Sequence, residues 1–172
     1  MKRRTFLMGA GGSTAAWAAD RRRPWRVALI GHTGRGNYGH DWDIAWNRIS
    51  AVRVTAIADP VEAGRKVAQE RSGAAKAYDD FRDMIASERP EIVTIGPRWT
   101  DQRVEMVAAA ARAGAHVLLE KPFAGSLPDA DAMVKALNAG KVKLQLGHVA
   151  RPSPVVKQAR QMLDAGEIGD LL

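Results

Sequence analysis

The chain has 172 residues, 46% hydrophobic and 26% charged, which suits one globular domain with a sizeable core and carries no disorder signature. Its net charge of +7 is concentrated at the start: beyond residue 23, 20 basic and 18 acidic residues nearly cancel, and no basic stripe interleaved with aromatics marks a nucleic-acid surface. The absence of cysteine excludes disulfides, thiolate metal sites and a cysteine nucleophile.

Residues 1–19 read as an address. Lys2, Arg3 and Arg4 precede an apolar stretch from Phe6 to Ala19, with small residues at Ala16, Ala18 and Ala19. That is the layout of a cleavable export signal, too short for a membrane span. Arg3-Arg4 followed by Thr5, Phe6 and Leu7 resembles a twin-arginine signal, and Gly9, Gly11 and Gly12 keep the apolar part mild. An ordinary secretory signal or a signal anchor is the alternative. The expected location is outside the cytoplasm, periplasmic or extracellular, reached through the export machinery. Residues 20–24, "DRRRP", read as a basic linker.

Strands and helices then alternate. Strands are expected at 25–31 (WRVALIG), 52–59 (VRVTAIAD), 91–96 (EIVTIG), 116–122 (HVLLEKP) and 141–147 (KVKLQLG). Helices are expected at 36–49, 60–73, 78–89, 100–114, 126–140 and 153–166. Several of these helices end on glycine, and that at 60–73 opens on proline. Alternation of this kind predicts βαβ units and an α/β, doubly wound parallel sheet of the Rossmann type.

The stretch 31–40, "GHTGRGNYGH", follows the first expected strand and opens the first expected helix. In such folds the backbone there approaches a pyrophosphate, and the helix N-terminus adds N–H groups and positive dipole. Laid on Gly31 and Gly36, the G-x-G-x-x-G pattern has Thr33 at its middle position, with Gly34 and Arg35 beside it. A plain glycine turn is the alternative. Asp59 ends the second strand 23 residues after Gly36, where a carboxylate holds ribose hydroxyls. A free carboxylate there repels a 2′-phosphate and favours NAD over NADP.

Glu120-Lys121-Pro122 closes the strand that starts at His116. Ligands of open α/β sheets bind outside the carboxyl ends of strands, so Lys121 points toward the same crevice as the glycine loop. A positioned ammonium can polarise a substrate oxygen and relay a proton. A strand-end surface lysine paired with a carboxylate is the competing reading.

The glycine loop, "AIADP", "AGAHVLLEKP" and "GEIGDLL", in this order from about Val27 to Leu172, resemble the N-terminal half of the Gfo/Idh/MocA oxidoreductases, relatives of glucose–fructose oxidoreductase and inositol dehydrogenase. The resemblance implies an NAD(P)-dependent enzyme that moves a hydride to or from a sugar, polyol or related cyclic alcohol. It assigns Gly31, Thr33, Gly34, Arg35 and Gly36 to the pyrophosphate loop and Asp59 to the adenosine ribose. Gly96 and Pro97 fall beside the nicotinamide half, and Glu120 and Lys121 in the nicotinamide-ribose and catalytic region, with Lys121 the catalytic candidate. In that family the Lys–Pro peptide is often cis, and the resemblance extends this to Lys121–Pro122. His148 and Arg151 are candidates for facing substrate or for a structural role. The family's usual histidine after the fourth strand is missing, and Arg103 stands near its place.

Family members continue into a second α+β domain that brings substrate-binding residues and the main oligomer contact. The expected organisation is therefore a Rossmann domain over 25–150, then a helix and the start of a truncated second domain over 151–172. A homo-oligomer is expected only if that second domain is present. A dinucleotide-binding module without turnover is the alternative, and a different nucleotide ligand a more distant one. No metal site is expected, because His32, His40, His116 and His148 form no i, i+4 pair. Trp42 and Trp46 are expected to pack rather than stack on a cofactor.

Overall fold

The computed structural model describes residues 23–148 and 153–169. Residues 1–19, expected to form an export signal, most of the expected linker and Arg151 lie outside the described residues. Among the described residues, no helix is long and apolar enough to cross a membrane.

Six parallel strands form one sheet: β1 Trp25–Ile30, β2 Val52–Ala58, β3 Lys76–Tyr78, β4 Ile92–Ile95, β5 His116–Leu119 and β6 Leu144–Leu146. Their spatial order is β3-β2-β1-β4-β5-β6, the doubly wound arrangement expected from the alternation. The chain reverses its direction of travel across the sheet between β1 and β4, so a crevice belongs above their carboxyl ends.

The helices are α1 Trp42–Ala45 followed by a 3₁₀ turn Trp46–Arg48, α2 Glu62–Ser72, α3 Phe81–Glu88, α4 Arg103–Arg112, α5 Leu127–Gly140 and α6 Pro154–Asp164. Local chemistry sets several ends. The Asp80 carboxylate caps α3 by accepting the Arg82 N–H, and Ser126 caps α5 by accepting the Asp129 N–H. Gly73 closes α2 in the left-handed conformation that glycine adopts without penalty.

The central strands are buried on both faces, which is why they read as continuous apolar runs rather than alternating ones. Val27 and Leu29 join Val54, Ile57 and Ala68 under α2. Ala28 and Ile30 join Val93, Ile95, Met84, Met106 and Val107 under α3 and α4.

Two elements differ from the sequence expectation. The helix expected over 36–49 is reduced to four α-helical residues and one 3₁₀ turn. Gly36, Asn37, Gly39 and Asp41 all have positive φ, which a right-handed helix cannot accommodate. The strand β3 was not expected. Three residues carry no periodicity, and Lys76 on this edge strand reads as a solvated residue.

Candidate functional site

The loop after β1 is a folded object. His32 and Asn37 pair across it in a small antiparallel bridge, and the Asn37 side chain accepts the Gly34 N–H at 3.1 Å. Gly31 is glycine because the Tyr38 ring lies against it: a Cβ there would fall 2.2 Å from the ring. Gly36 and Gly96 are equally confined. A Cβ on Gly36 would meet Arg98, and one on Gly96 would lie 2.7 Å from the Tyr38 backbone. The loop thus lies directly over the end of β4. Gly34 is different, with positive φ and open space around it at an exposed position.

Arg35 and Thr33 fasten this loop to its neighbours. Arg35 pairs with Asp101, stacks its guanidinium over Trp99 at 4.6 Å, and accepts the Arg98 N–H on its carbonyl at 3.0 Å. Thr33 docks on Asp59: its N–H and hydroxyl both donate to one carboxylate oxygen, at 2.9 and 2.8 Å. The other oxygen accepts the Val61 N–H at 2.9 Å, and Asp59 is 0% exposed. Gly64 on α2 makes room for this docking, since a Cβ there would sit 1.6 Å from the Thr33 hydroxyl. The phenol of Tyr38 lies in the same region, and burial followed by the Asp59 charge pushes it far above the ordinary tyrosine range.

The far end of the loop is held by Glu120, also 0% exposed. One carboxylate oxygen accepts the Trp42 indole N–H at 2.7 Å and the His40 ring at 2.8 Å. The other accepts the Lys121 N–H at 2.9 Å. Burial opposes the charge, yet the hydrogen bonds from His40, Trp42 and Lys121 hold this carboxyl below its ordinary range. The Lys121–Pro122 peptide is cis, and Lys121 stands partly exposed at the strand end.

Arg103, which stands near the place of the expected histidine, is 1% exposed. Its guanidinium donates to the Glu120 carbonyl at 2.9 Å and to the Pro97 carbonyl. It therefore ties the ends of β4 and β5 together from below. Desolvation lowers its pKa, and the Glu120 charge works against that.

Beside the loop, the ends of β1, β2 and β3 and the starts of α3 and α4 enclose a cavity of about 170 Å³. Gly31, His32, Pro60, Asp79, Asp80 and Gln102 are among its walls.

The structure thus gathers the expected residues along one edge. Gly31, Thr33, Gly34, Arg35 and Gly36 form the loop, Gly96 and Pro97 underlie it, and Glu120 and Lys121 close its far side. Two points are corrected. Asp59 is not a free carboxylate but the enclosed anchor of Thr33. The positive end of a long helix is not available either, because α1 is four residues long. Tyr38 and Gly39 carry no role in the sequence expectation, and His40 and Trp42, expected only as a non-ligand and a packing residue, instead hold the Glu120 carboxylate. The signal was present: "GRGNYG" at 34–39 spells G-x-G-x-x-G three residues beyond the frame used. Trp46 packs as expected, with its indole donating to Thr94 at 2.9 Å. Among the described residues, no group of three or more His, Cys, Asp or Glu is placed to hold a metal.

Residues 25–148 match the model of the Gfo/Idh/MocA oxidoreductase family, NAD-binding Rossmann fold. The chain is 30% identical over 128 residues to inositol 2-dehydrogenase of Salmonella typhimurium, covering 73% of this chain and 38% of that protein. It is 30% identical over 145 residues to D-apiose dehydrogenase of Paraburkholderia graminis, covering 84% and 38% respectively. Among solved structures, myo-inositol 2-dehydrogenase from Lactobacillus plantarum superposes with a TM-score of 0.75 at 27% identity, covering 87% of this chain and 44% of that one. Scyllo-inositol dehydrogenase from Lactobacillus casei, with bound NAD(H) and scyllo-inositol, gives a TM-score of 0.71 at 26% identity, covering 86% and 43%. The chain spans about two fifths of the length of these relatives. With its β3-β2-β1-β4-β5-β6 sheet and a glycine loop at the switch point, the chain belongs to the Gfo/Idh/MocA oxidoreductase family through that family's NAD-binding Rossmann domain.

Proposed function

We propose that this chain is the dinucleotide-binding part of an oxidoreductase that moves a hydride between NAD and a hydroxyl-bearing carbon of a sugar-like polyol. The observation that carries the reading is the juxtaposition of the glycine loop with the Glu120-Lys121-Pro122 strand end, bridged by Glu120 through Trp42 and His40.

The residues present fit a dinucleotide. Gly34 offers an exposed backbone with no side chain in the way. The N–H groups of Gly36 and Tyr38 have no backbone acceptor among the described residues, so they can donate to pyrophosphate oxygens. The cavity over β1–β3 suits the adenosine side, and Gly96, Pro97, Glu120 and Lys121 fall on the nicotinamide side. When bound, the nicotinamide supplies hydride transfer. Lys121 then orients the substrate oxygen and holds or passes its proton. Glu120 positions Lys121 through the backbone and is not itself offered to solvent.

Carboxylates at the cavity favour NAD over NADP. The relatives' inositol and apiose names support a cyclic or sugar-like alcohol as substrate. The twin-arginine-like start supports export after folding, with cofactor already held.

The test is a titration of NADH into the purified chain, followed by calorimetry and nicotinamide fluorescence. Saturable binding near one per chain is expected. Protein with native circular dichroism that binds no NADH overturns the reading. Saturable binding without turnover of any polyol by a form that also carries a substrate domain favours the binding-module alternative.

A further inference from the structure

One side chain of the glycine loop reaches across to the segment after β4. Arg35 stands between Gly34 and Gly36, and its guanidinium pairs with the Asp101 carboxylate while stacking over the Trp99 ring at 4.6 Å. Its carbonyl accepts the Arg98 N–H at 3.0 Å. The Arg35 side chain is 33% exposed and that of Asp101 53%, so the pair stands within reach of a solute. The hydrogen bond from Arg35 holds the Asp101 carboxyl below its ordinary range.

The place of this pair matters. Asp101 precedes Gln102, a wall of the cavity over the ends of β1 to β3, whereas Glu120 and Lys121 close the other side of the loop. A dinucleotide that reaches from the cavity to Lys121 carries its pyrophosphate across the junction where Arg35 meets Asp101. Two guanidinium groups stand at that junction. Arg98 lies against Gly36 and has no ion pair among the described residues. Arg35 is engaged by a carboxylate of the chain itself.

We infer that Asp101 sets the strength of cofactor binding by competing with the pyrophosphate for Arg35. The inference rests on the dinucleotide reading above. An exposed ion pair contributes little net stability, whereas a guanidinium grips a phosphate through two parallel charge-assisted bonds. Arg35 therefore exchanges Asp101 for a phosphate at small cost. Trp99 keeps the guanidinium over the junction during the exchange, because stacking occupies its face and leaves its N–H edge free to donate. Asp101 is a positioning residue that acts on the cofactor through Arg35.

The experiment titrates NADH and ADP-ribose separately into the full chain and into its Asp101→Asn, Arg35→Gln and doubly substituted variants, by calorimetry, with circular dichroism on each. ADP-ribose carries the pyrophosphate without the nicotinamide. Asp101→Asn is expected to lower the Kd of both ligands by about two- to fivefold. Arg35→Gln is expected to raise both by about tenfold, and adding Asp101→Asn to it should bring no further change. An unchanged Kd in Asp101→Asn overturns the inference and spares the dinucleotide reading. A raised Kd overturns it too, and makes Asp101 a residue that orients Arg35 for the phosphate. A gain of the same size without Arg35 reduces the effect to simple charge repulsion, and a gain that ADP-ribose does not share moves it to the nicotinamide half; either result overturns the inference. The direction of the Asp101→Asn change decides if Arg35→Gln binds too weakly to titrate. Absence of NADH binding by the folded parent chain overturns the dinucleotide reading, and the inference with it.

Discussion

The indole N–H of Trp42 donates to the Glu120 carboxylate at 2.7 Å, joining the far end of the glycine loop to the strand end that carries Lys121. Glu120 is fully buried, so each of its hydrogen bonds replaces water that the carboxylate cannot otherwise reach. Trp42→Phe keeps most of the ring volume and removes one charge-assisted bond. The expected cost is about 1.5–3 kcal/mol in urea unfolding. A change below the error of the fit would show that the bond contributes nothing net.

The same carboxylate gives stability a pH dependence of known sign. Its folded pKa is held below the ordinary value by His40, Trp42 and the Lys121 N–H, against the effect of burial. A depressed carboxylate contributes stability that is fully present above the unfolded glutamate pKa, about 4.3, and is lost as pH falls through the folded value. The difference in unfolding free energy between the parent chain and Glu120→Gln should therefore be constant from pH 7 to about pH 5 and shrink below about pH 4. A difference that grows in acid contradicts the assignment.

Gly64 and Thr33 form a second pair whose coupling can be measured. A methyl on Gly64 would collide with the Thr33 hydroxyl, so Gly64→Ala must displace Thr33 from Asp59. Alanine favours a helix over glycine by about 1 kcal/mol, yet a net loss of about 1–3 kcal/mol is expected from the clash. In a Thr33→Ala background the penalty should shrink without vanishing, because the Cβ of residue 33 would still lie 2.8 Å from the added methyl, giving a coupling energy of about 1 kcal/mol in the double-mutant cycle. Additive effects would show that the loop moves aside at no cost.

The sheet was legible in the sequence because each central strand is an apolar run bounded by glycine, proline or a carboxylate, and each crossover carries helix punctuation. The helix over 36–49 was misread because Trp42 and Trp46 have helical spacing. Both indoles instead reach side-chain acceptors, Glu120 and Thr94, that periodicity cannot show. Asp59 was placed correctly at the end of β2, but its burial depends on Thr33 and Gly64, which lie 26 residues before it and 5 after it. Such contacts are decided by tertiary packing. Arg103 stands out in the sequence as a departure from the expected pattern, and the fold shows that its guanidinium spans the Pro97 and Glu120 carbonyls.

That span makes Arg103 a sharp target. Its planar fork serves two carbonyls on neighbouring strand ends, a geometry that a lysine ammonium does not reproduce. Arg103→Lys is expected to destabilise by about 1–3 kcal/mol, and Arg103→Met by at least as much, because two buried carbonyls lose their donors. Chemical denaturation with unchanged slope would read this as a loss of stability rather than a change of native compactness. Methionine as stable as the parent would mean that the guanidinium's desolvation offsets its hydrogen bonds.

Lys121 separates binding from chemistry. Its backbone N–H is held by Glu120, and its side chain stands partly exposed at the end of β5 with no bonded partner among the described residues. Lys121→Met retains the backbone contact and removes only the ammonium. NADH affinity, measured by calorimetry on this chain, should stay close to the parent value. Turnover, measured in protein that joins this domain to a substrate-binding domain, should fall about 10²-fold or more, as expected when a positioned proton-transfer group is lost. A variant that loses NADH affinity but keeps kcat would place Lys121 in cofactor binding alone and move the proton step to another residue.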